Sequence, residues 1–382
     1  MQFSNSDIAE LTAWRRKLHQ FPEISGEEEK TAQEVVAFLA DTGPDRVITG
    51  LGGHGVAVVF DSGKPGPTLL FRSELDALPI EEIGDVPYRS RVPGKSHMCG
   101  HEGHTTILAA VARQLARRRP AKGRVVLMFQ PAEETGAGAA GVVADPRYEE
   151  ILPDYAFSLH NLPGVPFGHV RLKDGVVNCA SRGMRVVLTG KTAHSSMPET
   201  GTSPMLAVSE LMPKLAALGG GHFSSEDFAM ATVTHVSMGE AVFGVAPGRA
   251  EIWTTLRTRL DERMDGLVAD AEKLARDAAK AHGLGCAFDY HEIFVASLNG
   301  PEAVAYLRAA LDAEGVPHDE SGLPMRASED FGTFGHRAKS AMFFLGAGEN
   351  HPALHNPDYD FPDDLIAIGA RVFLRTVRNM LG

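Results

Sequence analysis

Four segments of the sequence concentrate the side-chain types that bind transition metals. They are Cys99–Gly100–His101, Glu133–Glu134, His160–Asn161 and His355–Asn356. Three of these segments follow an apolar run of strand type, directly or within a few residues. In an open α/β sheet ligands collect beyond the carboxyl ends of the strands, so such strands would place the segments in one crevice. The four segments together predict a metal site.

Each segment also has an interpretation that involves no metal. A lone cysteine is usually a small buried hydrophobic residue, a lone histidine is usually a hydrogen-bonded structural residue, and paired glutamates usually form a solvated surface. Glu133–Glu134 follows an apolar strand and Gln130–Pro131, and small residues occupy much of 136–141, which is a poor setting for a solvated helix face. The joint occurrence of the four segments favours metal binding.

The mixture of donors indicates which metals and what chemistry. Thiolate, imidazole and carboxylate together suit Zn²⁺, Mn²⁺, Co²⁺ or Ni²⁺ better than Mg²⁺ or Ca²⁺. About five ligands are too many for one four-coordinate zinc that keeps an open position. We therefore expect two divalent ions, with Zn²⁺ or Mn²⁺ preferred and Co²⁺ or Ni²⁺ as alternatives. Two ions about 3.5–4 Å apart activate a bridging water and polarise a carbonyl group.

The adjacent glutamates suggest a division of labour. Successive side chains of an extended segment point to opposite sides. If residues 133–134 are extended, one glutamate would bind metal and the other would take the proton from the attacking water as a general base.

The motifs around these residues resemble those of a family of metal-dependent amidohydrolases. The family comprises aminoacylases, hippurate hydrolases and plant indole-acetyl-amino-acid hydrolases, within the co-catalytic metallopeptidases. The matching motifs span nearly the whole chain and are Arg15–Arg16–Lys17–Leu18–His19 with Pro22–Glu23, Leu75–Asp76–Ala77–Leu78–Pro79, Met98–Cys99–Gly100–His101–Glu102–Gly103–His104, Gln130–Pro131–Ala132–Glu133–Glu134, Leu159–His160–Asn161, Gly190–Lys191 with His194 and Pro198, Ser328–Glu329–Asp330–Phe331, and Leu354–His355–Asn356–Pro357. Each motif is weak by itself, but their common order is specific.

The resemblance implies a role for each matching residue. Glu133 matches the general base, and Asp76 matches a carboxylate near the site that orients a ligand. His194 matches a histidine of an inserted domain that reaches the active site of the partner subunit and helps to hold the reacting carbonyl oxygen, which implies a homodimer. The residues that match the metal ligands are Cys99, His101, Glu134, His160 and His355.

Three positions depart from the family pattern. Glu74 and Glu102 stand where the family usually has aspartate, and both keep a carboxylate. Gly244 stands where the family usually has an asparagine that contacts substrate. The loss of that side chain bears on substrate preference and leaves the metal ligands intact.

The elements that would position these residues are helices alternating with short strands. A helix is expected after Ser6 as N-cap, and strand-like runs at Val56–Phe60 and Leu69–Phe71 flank a turn, in the manner of a hairpin. The alternation predicts an α/β catalytic domain with a central mixed sheet covered by helices. The pattern changes between residues 182 and 290. We therefore expect catalytic-domain parts at 1–181 and 291–382, interrupted by a smaller α+β lid and dimerisation domain at 182–290.

Composition restricts the partners. The formal net charge of −12 disfavours nucleic acid as a partner, because phosphate binding needs a basic surface. The sequence shows no pattern of a signal peptide and no run of about 18 apolar residues, so we expect a cytoplasmic protein without a membrane span. The three cysteines are far apart and do not suggest a disulfide framework.

The preferred interpretation is hydrolysis of a linear amide, in a small N-acyl amino acid or related compound, by a water activated on a dinuclear metal centre. The first alternative is a dipeptidase or carboxypeptidase-like enzyme with the same metals. The second is a non-catalytic small-molecule binder. The intact ligand set and Glu133 disfavour the second alternative, since binding alone requires no general base. The sequence names neither the acyl group nor the amino acid.

Overall fold

The computed structural model describes residues 3–382 and divides into two compact units. The larger unit comprises residues 3–177, together with Ser297–Leu323 and Asp330–Gly382. The smaller unit comprises Asn178–Ala296 and Pro324–Glu329. The predicted inserted domain at 182–290 lies within the first of these segments, whereas nothing in the sequence had indicated that 324–329 joins the same unit.

Strands and helices alternate through the larger unit. Its strands are β1 (Arg46–Leu51), β2 (Gly55–Asp61), β3 (Thr68–Glu74), β4 (Arg124–Gln130), β5 (Tyr155–Pro163), β6 (Val170–Arg171) and β7 (Gly175–Asn178, which ends at the unit boundary). The smaller unit holds β8 (Ala180–Thr189), β9 (Ala193–His194), β10 (Gly219–Gly220), β11 (Ala229–Met238), β12 (Val245–Ala246), β13 (Arg249–Thr258) and β14 (Gly285–Phe294). The larger unit resumes with β15 (Ser297–Asn299), β16 (His318–Asp319) and β17 (Lys339–Gly348).

The α-helices within residues 3–382 are α1 (Asn5–Gln20), α2 (Glu29–Leu39), α3 (His101–Arg117), α4 (Gly138–Ala144), α5 (Met205–Ala216), α6 (Asp261–Ala281), α7 (Pro301–Glu314) and α8 (Leu365–Leu381). Short 3-10 turns occur at Ala40–Thr42, Pro146–Ile151, Pro198–Thr200 and Asp330–His336. Of the α-helices, α5 and α6 belong to the smaller unit. None of the helices in the described part of the chain is long and apolar enough to cross a membrane.

The main sheet of the larger unit is mixed, with the order β1-β2-β4-β3-β5-β17-β6-β16. Strands β4, β3, β5 and β17 are mutually parallel. The antiparallel pairs are β1 with β2, β2 with β4, and β6 with β17. Apolar residues of this sheet and of helices α1, α2, α3, α7 and α8 form one buried core. These features confirm the predicted α/β class with a mixed sheet covered by helices.

The predicted hairpin between the second and third strands is wrong. Strand β4 lies between them, antiparallel to β2 and parallel to β3. The connection after β2 packs instead on the chain entering β4, where a Cβ atom on Gly66 would lie 2.6 Å from the Gly123 nitrogen. A local turn signal marks where a strand ends, but the partner of a strand is decided by distant residues.

The first helix starts earlier than its sequence suggests. Ser4 is the N-cap, not Ser6. The Ser4 hydroxyl accepts the Asp7 N–H at 3.1 Å, and the Asp7 carboxylate accepts the Ser4 N–H at 3.0 Å, which forms a capping box with aspartate in place of the usual glutamate. Arg15 and His19 lie on the buried face of this helix.

The smaller unit is built on an antiparallel sheet with the order β10-β11-β13-β8-β14. Helices α5 and α6 cover it, and their apolar residues share a second core with the strands. A separate two-stranded pairing joins β9 to β12, with His194 opposite Val245.

Candidate metal centre

The predicted metal-binding residues of the larger unit gather at the carboxyl ends of its parallel strands. Asp76 follows β3, the two glutamates follow β4, His160 lies within β5, and His355 lies in the loop after β17. Cys99 and His101 stand at the N-terminus of α3, on either side of its N-cap Gly100. Because these strands are parallel, the segments meet at one edge of the sheet.

His101 is the most constrained side chain of the cluster. Its Nδ1 lies 2.9 Å from the backbone carbonyl of Asp76 and 3.4 Å from the Asp76 carboxylate. Its Nε2 lies 3.8 Å from Glu133 and 3.9 Å from Glu134, and within the described residues this buried atom has no hydrogen-bond partner. A donor to Asp76 at Nδ1 leaves the Nε2 lone pair for a cation, as in histidine ligands that are oriented through their other nitrogen.

Two groups of three ligand atoms share Cys99. The first group is Cys99 with His101 and His160, and the second is Cys99 with Glu134 and His355. In each group the candidate ligand atoms lie within 4.8 Å of one another. The geometry therefore fits two neighbouring ion positions with the thiolate common to both.

Glu133 and Glu134 occupy different places in this arrangement. Glu134 approaches His355 Nε2 at 3.6 Å and belongs to the group that contains Cys99. Glu133 is grouped with His101 and Glu134. The two carboxylates therefore lie within 4.8 Å of each other beside His101, and Glu134 also lies beside Cys99 and His355.

The backbone at Glu133 and Glu134 is not extended, contrary to the expectation from the sequence. Residues 133–136 form a turn, and Ala132 before them adopts the left-handed conformation with φ of 50°. His355 is also left-handed, with φ of 66°. Such backbone conformations are unfavourable for residues other than glycine and cluster at functional sites.

The cluster carries excess negative charge. Burial opposes protonation of His101, but the hydrogen bond to Asp76 and the charges of Glu74, Asp76 and Glu134 raise its pKa to about 10. Burial, together with the charges of Glu134 and Glu133, holds the pKa of the Cys99 thiol well above its ordinary range. Both pKa shifts indicate a negative electrostatic potential at the cluster. A bound cation would neutralise this potential and would permit a thiolate at Cys99.

The pKa of His160 is shifted in the opposite direction to that of His101. Burial, followed by the nearby His104, holds its pKa well below the ordinary value, so the ring is neutral. Its Nε2 lies 3.4 Å from the Cys99 sulfur, and its Nδ1 lies 2.7 Å from the Asn161 carbonyl, to which it donates. A neutral imidazole that carries its lone pair on Nε2 is the form that binds metals.

Asp76 is held in place from three sides. Its carboxylate accepts the Ser25 hydroxyl at 2.7 Å and the backbone N–H of Glu134 at 2.9 Å. Burial alone would raise its pKa, but the hydrogen bond and charge of His101 lower it below the ordinary value. Asp76 therefore links the orientation of His101 to the backbone of Glu134.

His194 lies in the smaller unit, on β9, with an exposed side chain. The backbone N–H of Ser196 donates to its Nδ1 at 3.2 Å, so the proton of a neutral ring is on Nε2. The opposing strand follows Gly244, whose carbonyl accepts the Ser195 N–H at 3.0 Å. A Cβ atom on Gly244 would have nothing within 4 Å, so packing does not require a glycine there.

Tyr359 is a site residue that the sequence motifs did not reveal. Its hydroxyl donates to Asn161 Oδ1 at 2.6 Å, and Asn161 Nδ2 donates to the backbone carbonyl of Cys99 at 2.7 Å. Asn161 and His104 lie in matched motifs, but neither the motifs nor their spacing indicated that they form one hydrogen-bonded network. A tyrosine 198 residues from its partner along the chain leaves no local sequence signal.

Comparison with known proteins also indicates a metal-dependent hydrolase. Residues 70–379 match the model of peptidase family M20/M25/M40. The chain is 31% identical to a hippurate hydrolase of Campylobacter jejuni, over 96% of this chain and 95% of that protein. It is 30% identical to an N-acetyl-L-cysteine deacetylase of Bacillus subtilis, over 96% of this chain and 86% of that protein. It also shares its fold with a Bacillus subtilis protein described as a dinuclear metal binding peptidase, with a TM-score of 0.81, 23% identity and 99% coverage of both chains.

Proposed function

Because the chain belongs to peptidase family M20/M25/M40 and is a metal-dependent amidohydrolase, we propose that it cleaves the amide bond of an N-acyl amino acid at a dinuclear metal centre. The observation that carries this proposal is the pair of ligand groups that share Cys99. The proposed ligands are Cys99, His101, Glu134, His160 and His355. Two divalent ions there, with Zn²⁺ or Mn²⁺ preferred, would lower the pKa of a bound water and polarise the scissile carbonyl group.

Glu133 is the general base of this proposal. Its side chain is buried, and its carboxylate lies 3.8 Å from His101 Nε2. A carboxylate in that position accepts the proton of the attacking water and returns it to the amine that leaves. Asp76 supports the reaction indirectly, since it orients His101 and the backbone of Glu134.

His194 supplies a hydrogen-bond donor. Ser196 fixes the ring with Nδ1 as acceptor, so Nε2–H is available to a developing negative charge on the carbonyl oxygen. Its exposure and its place on a short two-stranded pairing suit a residue that serves the site of a partner subunit. This role requires a homodimer, which we include in the proposal.

The substrate class follows from the relatives. One is named for hippurate and another for N-acetylcysteine, so the acyl groups in their names differ while an N-acylated amino acid is common to both. We extend this common class, and neither specific substrate, to the present chain.

A hydrolysis screen on protein of measured metal content tests the proposal. The panel pairs N-acetyl and N-benzoyl derivatives of the same amino acids with dipeptides, and release of the free amino acid is measured. We expect about two ions per chain, turnover of N-acyl amino acids, and loss of turnover after chelation that Mn²⁺ or Zn²⁺ restores. Faster cleavage of dipeptides than of all N-acyl compounds would replace the proposal with a peptidase. Full activity at well under one ion per chain would refute the metal centre.

A further inference from the structure

A buried hydrogen-bond network lies beneath the proposed metal ligands and joins four distant parts of the larger unit. It links Tyr359 of the last loop, Asn161 of β5, His104 of α3 and Glu74 of β3. We propose that Asn161, held by Tyr359 and His104, is a positioning residue that fixes the backbone between Cys99 and His101 for metal binding. This inference rests on the metal centre of the proposed function.

The direction of each hydrogen bond can be assigned. The backbone N–H of Asn161 donates to His104 Nε2 at 3.1 Å, so Nε2 is the acceptor and Nδ1 carries the proton. His104 Nδ1 then donates to the Glu74 carboxylate at 2.6 Å. Glu74, which stands where the family usually has aspartate, therefore orients His104.

The Asn161 side chain can adopt only one orientation in this network. Its Nδ2 faces two acceptors, the carbonyl of Cys99 at 2.7 Å and His104 Nε2 at 3.1 Å. Its Oδ1 accepts the Tyr359 hydroxyl at 2.6 Å. Rotating the amide by half a turn would set its oxygen against two acceptors and its nitrogen against a donor. Tyr359 and His104 thus fix the orientation of Asn161 Nδ2, which donates to the backbone carbonyl of Cys99.

The backbone at Gly100 packs directly against the side chains of Asn161 and Tyr359. Gly100 has φ of +88°, and a Cβ atom there would lie 2.5 Å from Asn161 Nδ2 and 2.8 Å from the Tyr359 oxygen. The backbone that joins Cys99 to His101 is therefore in close contact with this hydrogen-bond network. Both ligands move if this peptide tilts, and His160 precedes Asn161 directly on β5.

The network touches the proposed ligands through backbone atoms and not through their metal-binding atoms. The Cys99 sulfur and His101 Nε2 remain on the side of the candidate ion positions. Loss of a partner that orients ligands in this way typically costs about 10–100-fold in metal affinity or activity. We expect the affinity for metal to fall while the fold persists.

Cobalt titration of the metal-free protein tests the inference. The variants are Tyr359→Phe, which removes the donor to Asn161, and Asn161→Asp, which keeps the size and removes the donor to Cys99. Absorption from the Cys99 thiolate to Co²⁺ reports the geometry at the sulfur independently of turnover. We expect weaker binding by about 10-fold for Tyr359→Phe and by up to about 100-fold for Asn161→Asp, with a changed thiolate band in both.

Tyr148→Phe is the matched control. Tyr148 is fully buried in the same unit, and in the described structure its hydroxyl has no hydrogen-bond partner. This variant should bind Co²⁺ with the affinity and spectrum of the wild type. If Tyr359→Phe behaves as Tyr148→Phe does, the inference is overturned, whether or not Asn161→Asp folds. If the wild type gives no thiolate band with Co²⁺, the proposed metal centre fails before the positioning network is in question.

Discussion

The ring of His101 donates its Nδ1–H to the backbone carbonyl of Asp76 across 2.9 Å. This contact turns the buried Nε2 toward the carboxylates of Glu133 and Glu134, at 3.8 and 3.9 Å. Since the two carboxylates are nearly equidistant from this nitrogen, distance to His101 does not distinguish their roles. Their other neighbours do, because Glu134 is grouped with Cys99 and His355.

Glutamine substitutions should separate these two roles. Glu133→Gln is expected to keep the metals and to lose about 10²–10⁴-fold in turnover, because an amide cannot accept the proton of water. Glu134→Gln is expected to lose metal first. Metal content and single-turnover rates measured on the same samples check both expectations. The reverse pattern would exchange the two assignments.

Cys99 should react with thiol reagents only when metal is removed. A coordinated thiolate has its lone pairs engaged, whereas in metal-free protein the thiol borders the vacant ligand groups. Mass spectrometry of labelled peptides, with and without chelator, measures the difference. Cys179 and Cys286 are internal controls, since neither is a proposed ligand and the labelling of neither should depend on metal. Equal labelling of Cys99 in the two forms would indicate a structural role.

His194→Ala should lower turnover by about 10²-fold without changing metal content or folding, because an oxyanion donor is lost. His222→Ala removes another exposed histidine of the same unit and should have no effect. Mixing His194→Ala chains with Glu133→Gln chains tests action across a dimer. Restored activity after verified subunit exchange would support it, since one site of the mixed dimer then has both groups. Absence of recovery would restrict His194 to its own chain or to no role.

Gly244→Asn should be tolerated, because a Cβ atom at this position meets nothing within 4 Å. Restoring the residue that the family usually has there should change KM across a panel of N-acyl amino acids more than it changes kcat. Thermal unfolding of the variant should match that of the wild type. Unaltered KM values for every substrate would separate this position from substrate binding.

Stability should depend on pH through His19. Burial opposes charge on this ring, but hydrogen bonds to Glu102 at 2.8 Å and Glu82 at 3.3 Å raise its pKa from 6.5 to about 9. The folded-state pKa exceeds the unfolded value, so the stabilisation is complete below pH 6.5 and is lost as pH rises through about 9. The free energy of unfolding should therefore fall over this window, by on the order of 3 kcal/mol more than in His19→Asn. Parallel curves for the two proteins would contradict the expectation.

Local patterns were enough to identify the class of fold and to indicate the chemical groups of the candidate site. Apolar runs of strand length between helical repeats predict an α/β protein, and the structure has a mixed sheet covered by helices. The hairpin assigned to β2 and β3 failed for a physical reason. Turn residues restrict a few dihedral angles, whereas strand pairing also depends on β4, which begins 50 residues after the end of β3.

The sequence by itself determined the donor types, their order and the family that uses them, because side-chain chemistry and motif spacing can be read from the chain directly. Only the tertiary structure decided how these groups meet. Parallel strands bring Glu134 and His355 to the same edge of the sheet, and a turn that follows the left-handed Ala132 holds both glutamates beside His101. The hydrogen bond from Tyr359 to Asn161 joins residues that are 198 positions apart in the chain. Such contacts depend on packing of the whole core, which no local segment encodes.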